Sequence, residues 1–440
     1  MTFKLDTSAR TRAGAVTLGD MFEGLFGAEA PVRFSAYDGS TAGDPDAKLG
    51  IRLTNPRGVS YLATAPGSLG MARAYIKGDL DIEGVHPGDP YDMLKAIDDD
   101  LQVNRPPMSQ AVNWARTLGV RTFVPPPLPE QEVVPRHRRG LRHSRERDAN
   151  SISYHYDVSN TFYEHVLGPS MTYTCACYPT ADATLEQAQA HKFDLVARKL
   201  ALQPGMRLLD VGCGWGGMVM HAAREYGVRA LGVTLSAEQA SWAQRAIKEA
   251  GLSSLAEVRH LDYRDVSEDG FDAVSSIGLT EHIGKAQLPA YFAFLYGKLR
   301  PQGRILNHCI TRVVSSEPNS RPDGFIFRYV FPDGELEAPG LLMTLMHDAG
   351  FEVRHAENLR EHYAMTLAGW CANLDRHWDE AVAEVGQGTA RVWRLYMAGS
   401  RLAFERIQIQ LHQMLGVRPG PAGEAGMPLR PDWERPAPAL

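Results

Sequence analysis

Leu208-Leu-Asp-Val-Gly-Cys-Gly-Trp-Gly-Gly217 is the stretch whose reading decides the fold. Its apolar opening with Asp210 reads as the end of a buried strand. Gly212, Gly214 and Gly216 then demand a tight turn, and Met218 to Tyr226 reads as the helix that follows. Glycine at such places lets the backbone approach a ligand with no Cβ in the way. Strand, glycine turn and helix N-terminus make the first βα unit of a doubly wound sheet, whose ligands sit at the carboxyl edge. The spacing is G-x-G-x-G and not the G-x-G-x-x-G of dinucleotide folds.

Working outward, 440 residues call for two domains or one domain with additions. Apolar residues at 44% and charged residues at 22% fit a soluble globular class, and a net charge of −6 makes no case for nucleic acid as a partner. No apolar run has the length of a membrane-spanning helix, and no secretory h-region stands near the start. Five cysteines (175, 177, 213, 309 and 371) argue for a reducing cytoplasm and against a disulfide framework. Cys175 and Cys177 lack a second pair at zinc spacing, so no metal is expected.

The expected organisation is an N-terminal accessory α+β domain over 1–123, a Pro/Arg-rich linker over 124–150, an α/β domain over 151–416 and a disordered tail over 417–440. In the first of these, Leu49–Thr54 and Val59–Thr64 read as a hairpin around Asn55-Pro-Arg-Gly58, and Pro90–Leu101 as a short helix. The linker begins with the stiff Val124-Pro-Pro-Pro-Leu-Pro129. It continues into a run carrying Arg136, Arg138, Arg139, Arg142, Arg145 and Arg147 against Glu146. Such a run is either a solvated segment or a contact for anionic lipid headgroups, worth about 1 kcal/mol per well-placed cation.

In the α/β domain the apolar face of Leu185–Leu200 predicts a helix. Strands are expected at Arg207–Val211, Ala230–Thr234, Ala256–Leu261, Phe271–Ser276 and Gly303–Ile310, alternating with helices at Ala237–Ala250 and Gln287–Leu299. Pro339–Ala349 and Phe351–Asn358 fit a final helix and edge strand, and Tyr363–Leu415 a long helical tail. Glu281, after the fourth strand of this series, and His308, in the fifth, converge on the sheet's carboxyl edge beside the glycine loop. The second strand ends Gly232-Val-Thr-Leu-Ser236 with none of the acid that usually binds ribose hydroxyls.

Taken together, several motifs resemble the cyclopropane-fatty-acid synthase family. They are Tyr154-His-Tyr-Asp157, Tyr173-Thr-Cys-Ala176, Leu209–Gly217, Gly232–Ser236 with Gln239, Glu281-His-Ile-Gly284, His308 and Glu361-His-Tyr-Ala-Met-Thr-Leu-Ala-Gly-Trp370. The likeness covers about 150–375, and the N-terminal region is similar to the extra domain of the long, phospholipid-acting members. The resemblance implies a Rossmann-like, S-adenosylmethionine (SAM)-dependent methyltransferase domain. It implies SAM contacts at Tyr173, Thr174, Asp210, Gly212, Gly214, Trp215, Gly216, Thr234, Leu235, Gln239, Asp262 and Tyr263. It also implies a bicarbonate held by the side chains of Glu281, His308 and Tyr363 and the backbone amides of Cys175 and Ile310.

The expected reaction is methyl transfer to the double bond of an unsaturated phospholipid acyl chain, leaving a carbocation that bicarbonate stabilises and deprotonates. The product is a cyclopropane, or a 10-methylene chain if a hydride shift comes first. Leu279-Thr280 replaces the aromatic that usually precedes Glu-His in the family. A smaller polar residue beside the cation is expected to change which proton meets the base, tilting the reading toward the methylene product. The enzyme is expected in the cytoplasm, peripheral at the inner membrane face, with a homodimer left open. The alternatives are a small-molecule N- or O-methyltransferase, or a catalytically silent lipid-binding protein.

Overall fold

The structure is a computed structural model describing residues 16–101, 103–133, 159–316 and 324–433. The chain divides into two compact units, Met1–Glu130 and Gln131–Leu440. In the first, β1 (Arg33–Ala36), β2 (Thr41–Ala42), β3 (Gly50–Leu53) and β4 (Leu80–Glu83) form a sheet of order β2-β1-β3-β4, parallel only between β1 and β3. Phe22, on the helix Leu18–Phe26, stacks on Phe34 of β1 at 4.4 Å. The expected hairpin is absent. Asn55 instead caps the helix Pro56–Thr64, accepting from the Arg57 amide at 3.0 Å, because Asn before Pro suits an N-cap and an N1 position better than a hairpin turn. Arg57 then grips the buried Asp79 at 2.6 and 2.8 Å, tying that helix to the start of β4.

The second unit is a three-layer α/β fold. Its strands are β5 (Arg207–Val211), β6 (Arg229–Thr234), β7 (Ala256–His260), β8 (Phe271–Ile277), β9 (Leu299–Arg312), β10 (Glu352–Asn358) and β11 (Ile409–Val417). They lie in the order β10-β11-β9-β8-β5-β6-β7. Strands β9 through β7 are parallel, whereas β11 pairs antiparallel with both β9 and β10. The helices Leu185–Leu200, Gly217–Tyr226 and Ala237–Glu249 cover one face through Val196, Val219 and Ala243. The helices Leu288–Lys298 and Pro339–Asp348 cover the other through Phe292 and Leu342.

Two expectations about the C-terminal part need correction. Tyr363–Leu415 is not all helix: helices Arg360–Arg376 and Trp378–Glu405 are followed by β11, which inserts between β9 and β10. Ile409-Gln-Leu-His alternates with a strand's period of two, and its backbone groups find partners on both flanks. Residues 418–433, expected to lack structure, lie on this unit. The Gly426 carbonyl accepts from Arg304 Nη2 at 2.8 Å, and Met427 and Trp433 pack on the core. The arginine run at 136–147 and Tyr154–Asp157 fall outside the described residues. Among the described residues no helix is long and apolar enough to cross a membrane, and no group of three or more His, Cys, Asp or Glu could hold a metal ion.

Candidate active site

The glycine loop after β5 runs through left-handed backbone: Gly212, Gly214 and Gly216 have φ of 71°, 55° and 79°. A side chain there would cost roughly 1–2 kcal/mol per residue, and at Gly212 a Cβ would also press on Leu279 at 3.1 Å. The loop opens a cleft of about 120 Å³ at the carboxyl edge of β5, β6 and β8. Of the residues expected to contact SAM, Tyr173, Thr174, Asp210, Gly212, Gly214, Trp215, Thr234, Leu235, Gln239 and Tyr263 line it. Two do not. Gly216 faces Ala243 and Val258, and the Asp262 carboxylate is taken by Arg264, at 2.8 Å from Nε and 2.6 Å from Nη2. Arg264 itself lines the cleft.

At the end of β6 Thr234 donates to Gln239 Oε1 at 2.8 Å, so a neutral pair occupies the place where an acid would bind a ribose. Asp210 is fully buried, and Ser275 donates to it at 2.5 Å. Burial outweighs that hydrogen bond and pushes its pKa up to about 7. Lys192, 0% exposed, reaches the same cleft and donates to Thr174 Oγ1 at 2.9 Å; burial lowers its pKa to about 8.

Across Tyr173, Thr174, Gly278 and His282, which line both spaces, lies a second and larger cavity of about 470 Å³. Leu336, Leu367, Leu395, Phe331, Phe404 and Leu411 make its walls mostly apolar. Glu281, His308, Tyr363, Cys175 and Ile310, the expected catalytic set, all line it. Glu281 Oε1 accepts from the Ile310 amide at 2.7 Å, so that amide is engaged by the carboxylate. Glu281 Oε2 and His308 Nε2 are buried without a hydrogen-bond partner among the described residues. Burial lifts Glu281 to about 7 against the opposing Ile310 hydrogen bond. His308 is held well below the usual histidine range, first by burial and then by Lys192 and Lys199. The ring of Tyr363 lies 4.4 Å from that of Phe404.

Tyr173, which lines both spaces, packs against further aromatic rings. Tyr173 lies 5.2 Å from Trp370 and 5.6 Å from Trp393, and its hydroxyl bonds Tyr396 Oη at 2.9 Å. An aromatic ring at such a junction suits a neighbouring cation. Thr280 departs from expectation. Its hydroxyl donates to Asn307 Oδ1 at 2.6 Å and it lines neither space, so it cannot flank a cation in the cavity.

Sequence reading missed Lys192, Arg264 and Tyr396. For Lys192 a signal existed: it falls on the apolar stripe of Leu185–Leu200 with Ala188 and Val196, where a solvated lysine has no place. Tyr396 carried none, since its aromatic neighbours on that helix have the spacing of ordinary core.

The model of the mycolic acid cyclopropane synthetase family matches residues 143–414. A Mycobacterium tuberculosis protein named "Probable fatty acid methyltransferase" is 58% identical over 426 residues, covering 96% of this chain and 99% of its own. The cyclopropane-fatty-acyl-phospholipid synthase of Escherichia coli is 34% identical over 264 residues, covering 60% of this chain and 66% of its own. The crystal structure of mycolic acid cyclopropane synthase CmaA1 with SAH and CTAB superposes with a TM-score of 0.58 at 32% identity, covering 61% of this chain and 98% of that one. The cleft and cavity therefore belong to a SAM-dependent methyltransferase acting on lipids, and the chain is a member of the cyclopropane synthase family.

Proposed function

We propose that this enzyme moves a methyl group from SAM to the double bond of an unsaturated acyl chain of a membrane phospholipid, giving a methylene-branched or cyclopropane fatty acid. The observation that carries the reading is the join between the polar cleft and the apolar cavity at Tyr173, Thr174, Gly278 and His282, with Glu281 and His308 on the cavity side. An alkene is a weak nucleophile, so alignment and exclusion of water must supply much of the rate. The cavity's apolar walls suit an acyl chain, whereas an amine or phenol would call for polar partners there.

SAM, when bound, supplies an electrophilic methyl. Tyr173, Thr174, Asp210, Gly212, Gly214, Trp215, Thr234, Leu235, Gln239 and Tyr263 would hold it. The unpartnered Glu281 Oε2 and His308 Nε2 fit a small protonatable anion between them, and bicarbonate with Tyr363 and the Cys175 amide completing its shell is the reading we adopt. Such an anion supplies a base where the acyl chain becomes cationic. Glu281 and His308 orient it, and the cavity's mostly apolar walls keep out nucleophiles that would quench the cation. The arginine run at 136–147 supplies charge for anionic headgroups at the cytoplasmic face of the membrane.

The test is mass spectrometry of fatty acids from a host producing the protein, beside assays of labelled SAM with phospholipid vesicles and with small amines. A new acyl species one carbon heavier and label in the lipid are expected. Label entering amines while the lipids stay unchanged would overturn the proposal.

A further inference from the structure

Strands β10, β11 and β9 are neighbours, and their register sets Glu357 opposite Gln413 and Gln413 opposite His308. Residues directly opposite on adjacent strands share a face, so these three form a polar row across the sheet. Lys199, in the last turn of the helix Leu185–Leu200, sits over that row. Its Nζ donates to Glu357 Oε2 at 2.5 Å and to Gln413 Oε1 at 2.7 Å. Gln413 Nε2 lies 3.2 Å from His308 Nδ1. Lys199 and Gln413 are 0% exposed and His308 1%.

The chemistry of the donors fixes each orientation. An ammonium has hydrogens and no acceptor, so the amide oxygen of Gln413 must face it. The amide nitrogen, a donor only, is then turned to His308, whose Nδ1 must accept. A neutral imidazole accepting at Nδ1 carries its proton at Nε2. Nε2 is the atom left without a partner in a residue that lines the cavity. Burying an ammonium and an amide is costly unless they are bonded, and here Lys199 has two acceptors while Gln413 is engaged at both ends of its amide.

We propose that Lys199 and Gln413 are positioning residues that lock His308 as an Nε2–H donor toward an anion held beside Glu281. This rests on the reading of the cavity given above. The lock runs from a half-exposed carboxylate at Glu357 to the reaction cavity, and none of its first three members touches substrate.

The test uses the full-length protein labelled with ¹⁵N-histidine, without added bicarbonate, with the His308 imidazole assigned by its loss in His308→Asn. Long-range ¹H–¹⁵N correlation should show His308 protonated at Nε2 alone. In Gln413→Glu the carboxylate keeps its bond to Lys199 but can only accept from Nδ1. His308 should therefore become protonated at Nδ1, and turnover at saturating SAM should fall about 10²-fold. If that variant fails to fold, Lys199→Met frees the amide to rotate and should give a mixture of tautomers. Wild-type His308 protonated at Nδ1, or an unchanged tautomer in folded Gln413→Glu, overturns the proposal. Tautomers that change as expected in an enzyme whose turnover ignores added bicarbonate uphold the lock and instead remove bicarbonate as the anion.

Discussion

The two sides of the sheet's carboxyl edge are built differently. On the β5–β6–β7 side the cleft owes its shape mainly to backbone, three glycines in left-handed conformation and a helix start, over the buried Asp210 and Lys192. On the β9–β11–β10 side the cavity is shaped by side chains brought from distant parts of the chain, and its Glu281 and His308 are buried and titratable, each with an atom that has no hydrogen-bond partner among the described residues. Backbone geometry tolerates a neutral Thr234–Gln239 pair where an acid is usual. A buried carboxyl and imidazole tolerate less, because burial shifts the protonation of both. Binding and chemistry should therefore be separable by mutation.

The largest effect is expected on the side-chain half. Glu281→Gln should lower turnover about 10²–10³-fold while SAM affinity, measured by titration calorimetry, stays within about threefold. A variant that loses SAM binding but turns over normally when saturated would erase the division. The same variant carries a stability signature. Glu281 titrates near 7 in the folded protein against an ordinary 4.5, so folding favours its protonated form. The resulting penalty is absent below the unfolded pKa, grows as pH rises, and is complete above about 7. Glu281→Gln should thus melt a few degrees above the wild type at pH 8, an advantage that disappears toward pH 4.5.

The next effect sharpens the other half. Gly212→Ala forces a Cβ into left-handed backbone at 3.1 Å from Leu279, and SAM binding should weaken about tenfold with turnover at saturation little changed. A fall in saturated turnover with SAM affinity intact would show that the loop governs chemistry as well as binding.

The smallest effect tests a residue that belongs to neither half. Thr280→Val should cost about 1 kcal/mol of stability by leaving Asn307 Oδ1 without its donor. The ratio of methylene-branched to cyclopropane products, read by gas chromatography of acyl methyl esters, should not move. A shifted ratio would return Thr280 to the path of the cation.

The same division explains what the sequence disclosed. The glycine loop was legible because the demand for positive φ is local and few residues satisfy it. Glu281 and His308 were legible because strand ends point to one edge, and Tyr363 because its helix matches a family pattern. Thr280 was misread because adjacency to Glu281 in sequence says nothing of which way a side chain turns on the four-residue helix Thr280–Ile283. Lys199 and Gln413 stayed hidden because their bond spans 214 positions and depends on β11, whose strand period was lost behind the helical pattern before it. Asn55-Pro56 carried a legible N-cap signal that alternation on either side obscured.

The insertion of β11 between β9 and β10 has an architectural consequence. The chain leaves the sheet after β10, makes the helices Arg360–Arg376 and Trp378–Glu405, and returns beside the strand it left. Those helices supply Tyr363, Leu367, Leu395, Tyr396, Ala403 and Phe404 to the cavity, while both ends of the excursion stay pinned by the ladder between β10 and β11. One wall of the apolar cavity is thus a single chain excursion set in a fixed frame. A change in the length or shape of that excursion would remodel the cavity without disturbing β9, which carries His308, or the glycine loop after β5.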